Sequence, residues 1–532
     1  MPGKTKTLIL ALTLGLPLPG QSSRPIAPKD FKQPSPFPEA WKKGGDLITP
    51  SICREWLSVL ASDQFEGRGT GKPGFKKAAQ FMAERFKEFG LKPMGENGGY
   101  FQTVPFEGSQ VTASKTWLSL EDAKGRTLQK FNIGKGLGGA IHAPSNKLYS
   151  FVFVVAKSPK DLEGLSLKDK ALLLLDQSKP WRFGMTEVRR ALWGIRPKAL
   201  ILINNKLAAQ NPSKQMTVRF VGKGAKGTRG RGRRRRPNRY AIDKKAAAKI
   251  LATMGLDPKL LSGQKAGSFS NKGFFLRTHI ETQKKPAFAV NVLGLMEGSD
   301  PVLKKEVVGI GAHLDHLGKA PDGQVYNGAD DDGSGSTGLL AIARAFGKNG
   351  TRPKRSILFM AFCGEELGLI GSGWYADHPV LPNKAMVAEL QMDMIGRNEE
   401  NPRSGEKAED NLNSLHLIGS KKLSNELHEI CLDANKRFGG FDFEWDEEDV
   451  FFRSDHVNFA KQDIPIAFFF TGFHPQYHRT SDTIDRINFP KLARVARLVY
   501  GIAWTLAEMD HRPKLDRTFK EVMKSQGRRR RR

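Results

Sequence analysis

From Pro286 onward, short apolar runs alternate with stretches whose apolar residues recur every three or four positions. The runs 306–311, 356–362, 388–392 and 464–470 read as buried strands, while 339–346 and 492–506 carry the periodicity of helices that cover a sheet. This alternation predicts an α/β fold, a mixed sheet with helices on both faces. Earlier in the chain, Thr49-Pro50 supplies a helix cap and first-turn proline. Phe75, Ala78, Ala79, Met82, Phe86 and Phe89 then fall at helical spacing ahead of Gly90, which predicts an amphipathic helix with a glycine stop. Between about 111 and 283 the texture changes to short strands, clearest at 151–155, 171–175 and 199–203, separated by Lys/Gly turns, with a helix near 246–254. That stretch reads as a separate inserted β-rich domain.

Length supports two folded units plus tails, because 532 residues exceed one ordinary domain. The expected division is a signal peptide over 1–21, a linker over 22–45, a first part of the main domain over 46–108, the insertion over 109–284, the remainder over 285–512 and a basic tail over 513–532. Lys4 and Lys6 precede an apolar run from Leu8 to Leu16, which is the pattern of a secretory leader and too short for a membrane span. A secreted or periplasmic protein without a transmembrane segment is therefore expected. Three cysteines, Cys53, Cys363 and Cys431, are too few for a disulfide framework and form no Cys/His cluster. Any metal site must then use histidines and carboxylates.

The net charge of +30 is unevenly spread. Nine positive residues lie in 223–239 and five arginines in 528–532, with no aromatic side chains among them to stack on bases. These runs read as a solvated loop and tail that offer at most adhesion to a polyanionic surface, and no specific nucleic-acid site.

The strands carry the chemistry at their ends. The run 307–312 leads into His313, 357–362 passes through Cys363-Gly364 into Glu365-Glu366, 390–392 leads into Asp393, and 467–470 reaches His478 through a short loop. In open α/β sheets ligands bind beyond the carboxyl ends of the strands, so these ends converge on one crevice. The loop after the first strand holds Asp330-Asp331-Asp332, three carboxylates that repel one another unless a cation neutralises them. Two imidazoles with several carboxylates suit zinc, and five ligands exceed what one tetrahedral ion takes. A pair of ions roughly 3.5–4 Å apart, bridged by a carboxylate and a water, accounts for the surplus. His316, His456 and His474 are expected to be core or surface histidines, or at most to support the ligands. Gly333-Ser334-Gly335-Ser336-Thr337-Gly338 formally matches a dinucleotide fingerprint, but the aspartates before it would repel a pyrophosphate. His428-Glu429 has no second histidine four residues on, which excludes that zinc-protease helix.

The strings GAHLDHLG, NGADDDGSGSTG, FMAFCGEELGLIGS, LQMDMIGR and YHRTSDT, with EGRGTG upstream, resemble the co-catalytic zinc aminopeptidases of the bacterial leucyl and Streptomyces type. The resemblance implies a phosphorylase/hydrolase-like fold and, from ALLLLD and KALILIN, an insertion similar to a protease-associated domain. It implies two zinc ions per chain held by His313, Asp331, Glu366, Asp393 and His478, with Asp331 bridging. It also implies Glu365 as general base, Asp315 orienting the His313 ring, and hydrolysis of N-terminal residues from peptides with a free N-terminus by a zinc-bridged hydroxide. The alternatives are a one-zinc glutaminyl-cyclase-like enzyme, a carboxypeptidase using Arg397 or Arg479 to hold the substrate carboxylate, and a non-catalytic binding protein. Side-chain preference and oligomeric state are not legible at this level.

Overall fold

The computed structural model describes residues 35–529 apart from 142, 168, 181–185, 215, 223–237, 271–272, 321, 403 and 446–447. The leader over 1–21, most of the basic loop and the last three arginines lie outside the described residues.

Near the start of the main domain lie two long helices, α1 (Pro50–Leu60) and α2 (Pro73–Glu88). Thr49 caps α1 by accepting the Ile52 N–H, and Pro50 fills the first turn, where a missing donor costs nothing. The sheet that follows is built from β1 (Val290–Met296), β2 (Val307–His313), β3 (Ser356–Phe362), β4 (Met386–Met392), β5 (Ser414–Ile418) and β6 (Ile466–Phe470). Their spatial order is β1-β3-β2-β4-β6-β5, extended at both edges by short strands. The four central strands are parallel and buried on both faces, which is why they read as unbroken apolar runs. Parallel pairing brings the carboxyl ends of β2, β3, β4 and β6 to one edge, with Gly311 level with both Met360 and Gln391.

One face is covered by α3 (Gly333–Lys348) and α4 (Phe489–Glu508), which pack on each other and on α1. Phe346, Tyr500 and Trp504 interlock there, with ring centroids 4.8 and 5.3 Å from Phe346. Gly335 lies so close to the Asp332 carboxylate and the Met392 carbonyl that a Cβ would meet them at 2.4 and 2.6 Å. The glycine-rich start of α3 thus serves close packing beneath the aspartates.

The insertion forms a ten-stranded sheet between Trp117 and Ile280 with its own apolar core, including Phe153, Leu173, Ile201 and Ile250. A three-stranded ribbon, Phe106–Val111 with Met216–Phe220 and Thr282–Lys285, joins it to the main domain. Phe106 and Phe220 of that ribbon pack into the main core.

Two boundaries differ from the sequence expectation. The supposed linker over 22–45 contains a helix, Glu39–Gly45, whose Trp41 stacks on Trp504 at 5.6 Å and which follows a buried Phe37. Prolines and lysines dominate that segment, but two aromatic side chains suffice to dock it. The tail over 513–532 likewise contains a helix, Phe519–Arg529, which buries Val522. Thr518 and Glu521 close a reciprocal capping box that the arginine run obscured. Among the described residues no helix is long and apolar enough to cross a membrane. Cys53, Cys363 and Cys431 are buried free thiols.

His456 sits in the core, stacked on Phe468 at 4.6 Å. Burial pushes its pKa down to about 3 from the ordinary 6.5, so the folded protein keeps the ring neutral where the unfolded chain takes up a proton. Because the unfolded state binds more protons between those values, stability falls as pH drops from about 6.5 toward 3, by up to about 1.4 kcal/mol per pH unit from this group. Urea unfolding of wild type and His456→Phe between pH 7 and 5 checks this: the variant is expected to show the shallower decline, and parallel declines would contradict it.

Candidate metal centre

The crevice at the carboxyl ends of the central strands collects all five sequence-expected ligands. His313 ends β2, Asp393 follows β4, Glu366 follows the Gly364 turn after β3, and His478 lies in the loop after β6. His313 Nε2 is 3.2 Å from Asp331 Oδ1 and 3.5 Å from Asp393 Oδ1. His478 Nε2 is 3.0 Å from Asp331 Oδ2 and 3.2 Å from Glu366 Oε2. Asp331 therefore faces both histidines, one through each oxygen. Two ligands at the corners of a tetrahedral zinc with bonds of 2.0–2.1 Å lie roughly 3.3 Å apart. The four distances cluster around that spacing in two sets that share Asp331.

His316, expected in the core, on the surface or at most in support of the ligands, is fully buried with Nδ1 2.8 Å from Glu366 Oε1 and 3.7 Å from Asp331 Oδ2. Despite the short separation, Glu366 Oε1 and both His316 nitrogens lack an aligned hydrogen-bond partner, as does Asp331 Oδ2. Buried polar atoms are almost always satisfied. Nitrogens and oxygens this close but not aimed at one another are what a set of donors around a cation looks like. The only sequence signal for His316 was its place in the His313-x-Asp315-His316 run.

The acidic triplet divides its work. Asp332 accepts the N–H groups of His313, Gly335 and Met394 at 2.9–3.1 Å, tying β2, α3 and the end of β4 together. Although it lies within a ligand's reach of His313 and Asp393, its oxygens are already committed to those three donors. Asp330 accepts the Gly396 N–H and faces His474 Nε2 at 3.2 Å. Asp482 accepts the N–H groups of Asp330 and Asp331, fixing the loop from the other side. Asp331 alone presents both oxygens to the histidines. Asp315 differs from expectation in detail: its backbone carbonyl, not its carboxylate, meets His313 Nδ1 at 2.9 Å. The carboxylate, 4.0 Å from that nitrogen, accepts the Thr70 hydroxyl and the Glu365 N–H instead.

Arg68, which sequence reasoning passed over, lies fully buried beneath this loop. Its guanidinium donates to the carbonyls of Leu60, Leu314, Asn327 and Gly328 at 2.7–3.0 Å, with that of Asp331 at 3.5 Å. Gly67 beside it has φ of 66°, and a Cβ there would strike the carbonyls of Tyr326 and Gly318. Met394 and His478 also hold left-handed backbone, at φ of 55° and 57°, a strain that recurs where side chains must be aimed.

Burial is the largest influence on Asp331, His478 and Glu365 and disfavours charge in each. Against it, His316, His313 and His478 hold the Asp331 carboxyl well below the usual carboxylate range. Asp331 and Glu366 raise His478 to about 10. Glu365 goes the other way: burial pushes it well above its ordinary value, reinforced by Glu366, Asp393 and Asp455 and opposed by His313. Its Oε2 is 4.0 Å from His313 Nε2, outside the short-range ligand pairs. Of the alternative cations, Arg397 is buried and donates to Gln476, while Arg479 is exposed.

The mixed sheet with its parallel centre and the paired ligand sets define the class: an α/β protein with a candidate two-ion metal centre at the strand ends. Residues 291–503, which contain that whole centre, match peptidase family M28. The chain is similar to aminopeptidase YwaD of Bacillus subtilis, 27% identical over 278 residues that cover 51% of this chain and 53% of that one. It is also similar to a probable leucine aminopeptidase of Trichophyton verrucosum, 30% identical over 216 residues, 39% of this chain and 56% of the other. These alignments span about half the length of the curated relatives they match. Among solved structures, that of BSAP, a zinc aminopeptidase from Bacillus subtilis, superposes with a TM-score of 0.53 at 20% identity, covering 88% of this chain and 98% of that one. The likeness extends to the fold.

Proposed function

We propose that this chain is a zinc-dependent metallo-aminopeptidase that removes N-terminal residues from peptides. The observation that carries the reading is the pair of ligand sets sharing Asp331, at spacings that suit two tetrahedral ions. Buried Asp331 and Glu366 oxygens without aligned donors support the same conclusion. His313 and Asp393 would hold one ion, His478 and Glu366 the other, with Asp331 between. When bound, such a pair supplies Lewis acidity for the scissile carbonyl and for the attacking water.

The chain's own residues do the rest. Glu365 stands beside the ligands, where its carboxylate takes the proton as the water oxygen bonds to the carbonyl carbon. As the C–N bond breaks, the same carboxyl passes that proton to the leaving amine. Asp482 and Arg68 hold the Asp331 backbone, and Asp332 ties the next residue to the end of β2, so the bridging carboxylate is pre-positioned.

Zinc-loaded protein assayed on leucyl anilide and its N-acetyl form tests the reading. Cleavage of the free-amine substrate at least on the order of a hundredfold faster is expected, together with loss on chelation and recovery with zinc. Absence of cleavage, or equal cleavage of the acetylated form, would contradict it.

A further inference from the structure

Beyond the ligands, the cleft is walled by aromatic side chains from β6 and the loop after it, among them Phe468, Phe470, Phe473 and Tyr477. The same wall carries one cationic side chain, Arg453, in a cleft onto which Asp331, Glu365 and Asp393 open. The Arg453 guanidinium lies over the Phe473 ring, 4.7 Å from its centroid, with a nitrogen 3.4 Å from the Tyr477 hydroxyl. Tyr477 in turn stacks on the His478 ring at 3.9 Å. Arg453 is thus held by the Phe473 ring face and the Tyr477 hydroxyl at the edge of the metal centre. Among the described residues no carboxylate lies within ion-pair distance of it, although its side chain is exposed and acids are plentiful nearby.

The charge balance explains why such a group belongs there. Asp331, Glu365, Glu366 and Asp393 sum to four negative charges, which two divalent ions offset. Arg453 would then be a surplus positive charge beside an aromatic wall, one face against Phe473, on the lining of the cleft. A guanidinium in that setting is a fork for a carboxylate, which it binds through two parallel hydrogen bonds. Lysine or a neutral donor would lack that geometry.

We propose that Arg453 recognises a carboxylate of the peptide substrate, so that short peptides carrying one within reach of the metal centre are favoured. The proposal rests on the aminopeptidase reading above. Two sources share this chemistry: the α-carboxylate of a dipeptide, and an acidic side chain on the N-terminal residue. The residue is a specificity determinant and takes no part in proton transfer or metal binding.

The test compares Leu-Gly with Leu-Gly amide, and glutamyl with leucyl anilide, on zinc-loaded wild type, Arg453→Ala and Arg453→Lys. For the first source, the preference of wild type for Leu-Gly over its amide is expected to shrink by about tenfold to a hundredfold in Arg453→Ala, chiefly through KM. For the second, the glutamyl-to-leucyl ratio shrinks by that factor instead. Arg453→Lys restores part of the lost preference in either case, which a merely structural role would not. If Arg453→Ala, folded by circular dichroism, leaves both ratios as in wild type, the proposal is overturned while the peptidase assignment stands. If wild type cleaves none of the four substrates, the aminopeptidase reading fails and this inference falls with it.

Discussion

Glu365→Gln is expected to lower kcat by about 10²–10⁴-fold without loss of metal or fold. The amide has the size of the carboxylate and keeps the Glu365 N–H bond to Asp315, but it cannot accept a proton from water. Glu365 lies 4.0 Å from His313, farther than the four close ligand pairs, so its charge is not needed to hold an ion. Burial and three acidic neighbours raise its pKa well above the usual carboxylate value, and His313 opposes them. Steady-state kinetics alongside metal analysis separates the outcomes. Full activity would remove Glu365 from the reaction; loss of metal together with activity would make it a ligand.

Arg68→Met is expected to have the largest effect on stability, on the order of 4–5 kcal/mol. A fully buried guanidinium here satisfies four carbonyls at 2.7–3.0 Å and approaches a fifth, and methionine leaves them without donors in a dry site. Each unsatisfied buried acceptor costs roughly 1–3 kcal/mol, partly relieved where water enters. In a protein of this size such a loss lowers the melting temperature by roughly 4–8 °C. Two of these carbonyls, those of Asn327 and Gly328, belong to the loop that carries Asp331, so zinc affinity falls too. Thermal unfolding with and without zinc measures both, and a change in melting temperature under about 2 °C would contradict this role.

Much of this was legible in the chain because burial on both faces writes parallel strands as apolar runs, and each run here ends on a chemically distinctive residue. His313, Asp393 and the Glu365-Glu366 pair were visible as strand ends for that reason. What escaped notice depends on long-range geometry. Arg68 is one arginine among many until the fold closes over it, and its partners lie as far as 263 residues away. His316 looked ordinary because a lone histidine after a strand is usually just packed; only its approach to Glu366 separates it from His456, which does sit in the core. The division of labour among Asp330, Asp331 and Asp332 is invisible in three identical letters, since it is set by which backbone N–H groups surround each side chain. Charge and proline content likewise drew attention from Phe37 and Trp41, whose burial brings the supposed linker into the core.

The pairing of ligands around Asp331 is tested most directly by counting zinc. Apo protein titrated with zinc and monitored by calorimetry and elemental analysis should take up about two ions per chain, falling to one or fewer in Asp331→Ala. One tightly bound ion in the wild type, or an Asp331→Ala variant that still binds two, would contradict the shared carboxylate and the reaction built on it.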